Sequence, residues 1–180
     1  RIRHLAYFDG VTGLPNRQLF VRELRRAMRQ GKRQGRLVAV LYVDLDRFKR
    51  INDTLGHSVG DALLKSVANR LAEGVRPTDY VAKAGDADNM AVQLARLGGD
   101  EFVALLTDIE SDDQISVVVD RIRTSLAAPF SYEGRQFVIT PSIGVADYPA
   151  DGNDVETLLM HADTALYRAK DAGRNLCIAA

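Results

Sequence analysis

Apolar positions along this chain follow two periods, and the change from one to the other marks its elements. Leu37 to Val43 is an unbroken run of mainly β-favouring apolar residues, which predicts a strand covered on both faces and central in its sheet. From Leu94 to Leu106, two apolar runs flank Gly98, Gly99, Asp100 and Glu101. Paired glycines supply the positive φ of a tight turn, so this stretch predicts a β-hairpin with carboxylates at its tip.

Helical spacing governs most of the remainder. Asn16 is placed to cap a helix with Phe20, Leu24, Ala27 and Met28 on one face, ended by Gly31 and Gly35, and its arginines 22, 25, 26 and 29 form a solvated face. A second helical stretch runs from Arg47 to Thr54 and stops at Gly56. A third restarts at Ser58 with Val59, Leu63, Val67 and Leu71 inward. Asp112 or Asp113 starts a helix burying Ile115, Val118, Val119, Ile122 and Leu126, and Pro129 ends it. Ser131 to Gly134 predicts a turn, Arg135 to Val145 a long strand, and Pro149 to Asn153 a loop. Asp154 caps the last helix, which carries Val155, Leu158, Leu159, Ala162, Ala165, Leu166 and Ala169 until Gly173 stops it. This order is α+β with a mainly antiparallel sheet.

The 180 residues are 46% hydrophobic and 27% charged, enough for one domain with a real core. Lys plus Arg equals Asp plus Glu at 24 each, so no global basic field favours nucleic acid. The single cysteine, Cys177, sits in a short apolar run and predicts an inert thiol rather than a disulfide, which suits a reducing cytoplasm. No run is long and apolar enough to predict a membrane contact within this fragment.

Chemistry enters at the end of the first strand. A carboxylate on Asp44, partly desolvated there, needs a cation or several donors. If the hairpin lies beside this strand, Asp44, Asp100 and Glu101 converge on one edge as an oxygen-rich site suited to Mg²⁺. Asn52 and Asp61 have the chemistry to read guanine, because a carboxylate accepts from both N1–H and the exocyclic amine while an amide donates and accepts. Capping or surface placement is the alternative for both. His57 between them is placed as a cap or surface residue. Lys170 and Arg174 complement the dipole at the last helix's C-terminal end, or serve as cations beside a phosphate.

Four separated motifs carry a resemblance over nearly the whole chain. They are Asp9-Gly10-Val11-Thr12-Gly13-Leu14-Pro15-Asn16-Arg17, Asp44-Leu45-Asp46-Arg47-Phe48-Lys49-Arg50-Ile51-Asn52-Asp53, Gly98-Gly99-Asp100-Glu101-Phe102, and Ala169-Lys170-Asp171-Ala172-Gly173-Arg174-Asn175. In this order they resemble the GGDEF family of diguanylate cyclases, nucleotidyltransferases of bacterial cyclic di-GMP signalling.

The resemblance implies a palm-like nucleotide-cyclase fold and condensation of two GTP into cyclic di-GMP, with release of pyrophosphate, by a homodimer. It implies Asp100 and Glu101 as catalytic residues, and Asp44, the Leu45 carbonyl, Asp100 and Glu101 around Mg²⁺ or Mn²⁺, two ions per GTP site. It further implies Asn52 and Asp61 at the guanine, Phe48, Lys49, Lys170 and Arg174 at the phosphates, and Gly98 and Gly99 as the turn. On the same grounds residues 1–180 form a single cyclase domain whose residues 1–8 end an upstream signalling helix from a sensor domain. Copies of the type it resembles most precede a phosphodiesterase domain of the EAL type. The alternative is a noncatalytic module that binds GTP or cyclic di-GMP within such a protein.

One feature departs from the family pattern. Arg76-Pro77-Thr78-Asp79 resembles the R-x-x-D product-inhibition site but stands too far from the hairpin, with an insertion around residues 83–94. Its Gly85-Asp86-Ala87-Asp88-Asn89 is turn-forming, and the expectation is an excursion that leaves Arg76 and Asp79 in place.

Overall fold

The computed structural model describes residues 6–75 and 91–180. Its strands are β1 (Leu37–Leu45), β2 (Ala91–Gly98), β3 (Glu101–Ile109), β4 (Phe130–Tyr132), β5 (Arg135–Phe137), β6 (Pro141–Tyr148) and β7 (Cys177–Ala179). Five of them form a central sheet in the order β2-β3-β1-β6-β7, and β4 with β5 makes a small hairpin that stands apart. All pairings are antiparallel except β6 with β7. The helices are α1 (Arg17–Gln34), α2 (Phe48–Leu55), α3 (His57–Gly74), α4 (Asp112–Ala127) and α5 (Val155–Asp171).

The run without alternation is explained by two cores. Strand β1 is buried from Val38 to Leu45, with Ala39, Leu41, Val43 and Leu45 packed among α3 and α4 and Val38, Val40 and Tyr42 packed among α1 and α5. Side chains alternate across a strand, so a strand with helices on both faces must be apolar throughout. Helix α5 lies directly on the sheet, since a Cβ on Gly144 would overlap the backbone of Ala162 and Leu166. That contact fixes where the far end of α5 arrives.

Three expectations change. Gly31 does not end the first helix but lies buried within it; the stop is Gly35, in the left-handed region at φ 65°. The long strand from Arg135 to Val145 is two strands in different sheets, separated by an exposed Val138 and a buried Ile139. The cause is the length of the partner: β6 begins where Pro141 meets Leu45, the last residue of β1, and past it only the Asp46 N–H reaches back, to the Thr140 carbonyl, so Val138 and Ile139 have no ladder to join. Ala91 to Leu94, counted with the insertion, form the first half of β2 and pair in register with β3. Arg76, Asp79 and residues 83–90 lie outside the described residues. Cys177 is half-buried, and burial pushes its thiol pKa up.

Candidate active site

The hairpin turn is built as its glycines require. Gly98 and Gly99 take φ values of 142° and 52°, which L side chains rarely adopt. The turn brings the first residue of β3 directly opposite the end of β1, with Asp44 and Glu101 as register partners. Partners in an antiparallel pair point to the same face, so two acids meet there and Asp100 joins them from the turn. The Leu45 N–H donates to the Asp100 carbonyl at 3.2 Å. Because the N–H and C=O of one strand residue face the same way, the Leu45 carbonyl also faces the turn.

Asp44 is 4% exposed and receives one cation, Lys170 Nζ at 2.5 Å from Oδ2. Its carboxyl pKa is pushed up to about 6, first by burial and then by the charges of Asp100 and Glu101, against the opposing pull of Lys170. Glu101 is raised too, by burial and then by Asp163, with Asp100 adding to the effect. Three carboxylates thus stand together against Lys170 and, at Glu101, Arg17. Among the described residues no three acidic, His or Cys side chains are gathered tightly enough to cage a metal by themselves.

The guanine candidates lie on neighbouring helices. Asn52 in α2 packs on the backbone of α3 at Gly60, where a Cβ would overlap Asn52 Oδ1. This close approach sets Asn52 beside Gly60, the neighbour of the exposed Asp61. His57 is exposed at the start of α3, as expected for a surface residue. The ring of Phe48 is 2% exposed and belongs to the core, so only its main chain is available to a ligand. It opens α2 after Arg47, a left-handed residue at φ 59° with no side-chain cap, and the first N–H groups of a helix lack intrahelical partners and favour anions. Lys49 is exposed in the same turn, and Arg174 is exposed after α5 at φ 65°.

Two groups at this end of the molecule escaped the sequence reading. Tyr42, Asp163 and Arg17 surround Glu101 on the α1 and α5 side. Asp163 stands seven residues before Lys170, two helical turns on one face, and that spacing was the available signal. The second group is a latch behind the turn. Arg96 donates from one terminal nitrogen to both carboxylate oxygens of Asp9 (2.8 and 3.0 Å) and from Nε and the other terminal nitrogen to the Gly99 carbonyl (3.1 and 2.7 Å). Asp9 also accepts from the Thr12 N–H and hydroxyl, both at 2.7 Å.

The family model described as "Diguanylate cyclase, GGDEF domain" matches residues 6–176. The bifunctional diguanylate cyclase/cyclic di-GMP phosphodiesterase MucR of Pseudomonas aeruginosa is 40% identical over 171 residues, which are 95% of this chain and 23% of that protein. Diguanylate cyclase TpbB of the same species is 38% identical over 174 residues, 96% of this chain and 37% of that protein. The structure of a truncated TpbB from Pseudomonas aeruginosa comprising only its GGDEF domain superposes with a TM-score of 0.86 at 36% identity, covering 97% of this chain and 94% of that one. The GGDEF domain of DgcB from Caulobacter crescentus in complex with c-di-GMP gives 0.81 at 29% identity, covering 97% and 95%. The chain thus spans well under half the length of these curated relatives.

Proposed function

This chain belongs to the GGDEF family of diguanylate cyclase domains, and from that membership we propose that it condenses two GTP molecules into cyclic di-GMP with release of two pyrophosphates. The observation that carries the proposal is the buried Asp44 carboxylate in register with Glu101 beneath the Gly98-Gly99 turn, with Lys170 against it. The donor set fits a hard divalent cation, since it consists of carboxylates and a carbonyl, and the Asp44 carboxyl, raised first by burial and then by Asp100 and Glu101, is one that such an ion would hold ionised. Asp44, the Leu45 carbonyl, Asp100 and Glu101 would hold Mg²⁺ or Mn²⁺, two ions per GTP site. Bound there, the metal supplies charge neutralisation at the triphosphate and acidifies the attacking hydroxyl.

The chain's own groups do the rest. Asn52 and Asp61 hold the guanine edge. The main-chain N–H groups at Phe48 and Lys49, with Lys49, Lys170 and Arg174, hold the phosphates. Asp100 accepts the proton of the 3′-hydroxyl as that oxygen attacks the α-phosphorus of the second GTP. A new ester bond forms, the bond to pyrophosphate breaks, and the step repeats in the other direction. Each protomer presents one GTP, so two protomers meet around their hairpins and proximity supplies the orientation. An upstream sensor and a downstream EAL domain in the full protein belong to the same proposal.

The test is incubation of the chain at high concentration with GTP and Mg²⁺, followed by mass spectrometry of the products. Cyclic di-GMP and pyrophosphate from GTP, with ATP left intact, is the expected result. GTP bound but unchanged at every concentration would replace this reading with that of a noncatalytic binding module.

A further inference from the structure

We propose that Asp46, the second acid of the Asp44-Leu45-Asp46 run, is a positioning residue that clamps the turn after α5 and thereby holds Arg174 for the phosphates. The role of Arg174 rests on the reading of the site given above; the clamp itself rests on geometry.

Asp44 and Asp46 stand two residues apart at the end of β1. The structure gives them different partners. Asp44 lies beneath the hairpin turn against Lys170, whereas Asp46 is filled by protein donors. Its Oδ1 accepts from the Ser142 hydroxyl at 2.6 Å, and its Oδ2 accepts from the Thr140 hydroxyl at 2.6 Å and the Asn175 N–H at 2.9 Å. A carboxylate offers about four lone-pair directions, so three donors leave little capacity for a cation. Ser142 is fully buried, and the Asp46 N–H donates to the Thr140 carbonyl at 2.8 Å. Asp46 is therefore fixed to β6 before it grips anything else.

What it grips is a strained turn. Gly173, Arg174 and Asn175 all have positive φ, at 121°, 65° and 50°. Two successive non-glycine residues in the left-handed region persist only where surrounding contacts determine them. The contacts here are the Arg174 N–H to the Ala169 carbonyl at 3.0 Å, the Asn175 N–H to Asp46, the Asn175 carbonyl accepting from Arg123 at 3.4 Å, and the Ile143 N–H to the Leu176 carbonyl at 2.8 Å. Of these, Asp46 alone joins the turn to the end of β1, two residues from Asp44. The strand that carries the acidic site thus also sets the backbone from which Arg174 projects. Arg174 shares with Asp46, Arg47 and Arg50 the lining of a groove between α2 and this turn.

The test is a double-mutant cycle on the full chain, read as affinity for the α,β-methylene analogue of GTP, which cannot release pyrophosphate. Asp46→Asn is expected to weaken binding about tenfold in the unaltered background and less than about twofold in Arg174→Ala, where no cation remains to be held. Adding Asn175→Gly to Asp46→Asn is expected to recover most of the loss, because glycine adopts the left-handed region without a clamp. Amide exchange at Asn175 should quicken in Asp46→Asn beyond what any fall in global stability accounts for. Equal losses in both backgrounds, no loss in either, or unchanged exchange at Asn175 would overturn the proposal alone. Failure of the unaltered chain to bind the analogue would overturn the reading of the site, and the role of Arg174 with it.

Discussion

Asp9 and Asp44 are both carboxylates paired with one cation at the same end of the sheet, yet their acidities move in opposite directions. Burial raises the pKa of each. At Asp9 the Thr12 hydroxyl and N–H, then the Arg96 guanidinium, outweigh burial and bring the carboxyl below its ordinary value. At Asp44 one ammonium faces burial together with Asp100 and Glu101, and the carboxyl stays high. The difference lies in how many donors converge. Asp9 is a finished structural contact, holding the N-terminal turn to the back of the hairpin through Arg96 and the Gly99 carbonyl. Asp44 sets one cation against burial and two neighbouring carboxylates, the kind of environment in which functional acids are found.

Asp44→Asn should break the comparison hardest. The amide keeps an acceptor for Lys170 but lacks the charge to hold a divalent ion, so product formation should fall by about 10³-fold or more while the melting temperature holds or rises. Undiminished cyclic di-GMP by mass spectrometry would remove Asp44 from the proposed metal site. Asp9→Asn should do the reverse. It weakens charge-assisted hydrogen bonds worth about 2 kcal/mol together, and for a domain of this size the melting temperature should drop by roughly 4–8 °C. A drop no larger than that of Asp44→Asn would mean that the latch is not structural.

The same contrast should appear as pH dependence in the metal-free chain. A carboxyl raised on folding binds more protons in the native state than in the unfolded one, so Asp44 destabilises the fold at pH 7 and ceases to do so as pH falls from about 6 through its ordinary value of 3.8. Asp9, lowered on folding, contributes stability that is present above 3.8 and lost as pH falls further. The two windows therefore separate. Denaturant unfolding should find Asp44→Asn more stable than the unaltered chain at pH 7, by on the order of 2 kcal/mol, with the gap closing by pH 4. A gap that widens on acidification would show that the Asp44 carboxylate is stabilised rather than strained in the fold.

Local patterns made much of this legible from residues alone. The unbroken run of β1, the Gly-Gly turn and the Asn16 and Asp154 caps each depend on neighbours a few positions away, and the structure keeps them. Lost to the sequence were contacts made by distant parts of the chain. Lys170 meets Asp44 across 126 residues and Asn175 meets Asp46 across 129, pairings that depend on where α5 crosses the sheet at Gly144. The break at Val138 was invisible for a related reason, since the length of β6 is set by where its partner β1 ends.

Arg96→Lys should give the smallest effect and the sharpest view of the latch. The guanidinium spans two acceptors at once because its donors form a rigid fork, reaching Asp9 with one terminal nitrogen and the Gly99 carbonyl with the other two donors. An ammonium retains the charge but is a single point, so it can satisfy Asp9 or Gly99 and not both. Asp9 is the better acceptor, being ionised, and the Gly99 carbonyl is then left to water. Stability should fall by only about 0.5–1 kcal/mol, while the turn loses its restraint. Product formation should therefore fall severalfold at nearly unchanged melting temperature. In the Asp9→Asn background the same change should cost less stability, because the introduced ammonium is then free to stay with Gly99. If Arg96→Lys lowered stability as much as Asp9→Asn and left activity untouched, the fork would be serving Asp9 alone, and the hairpin would be held by its own ladder with β1.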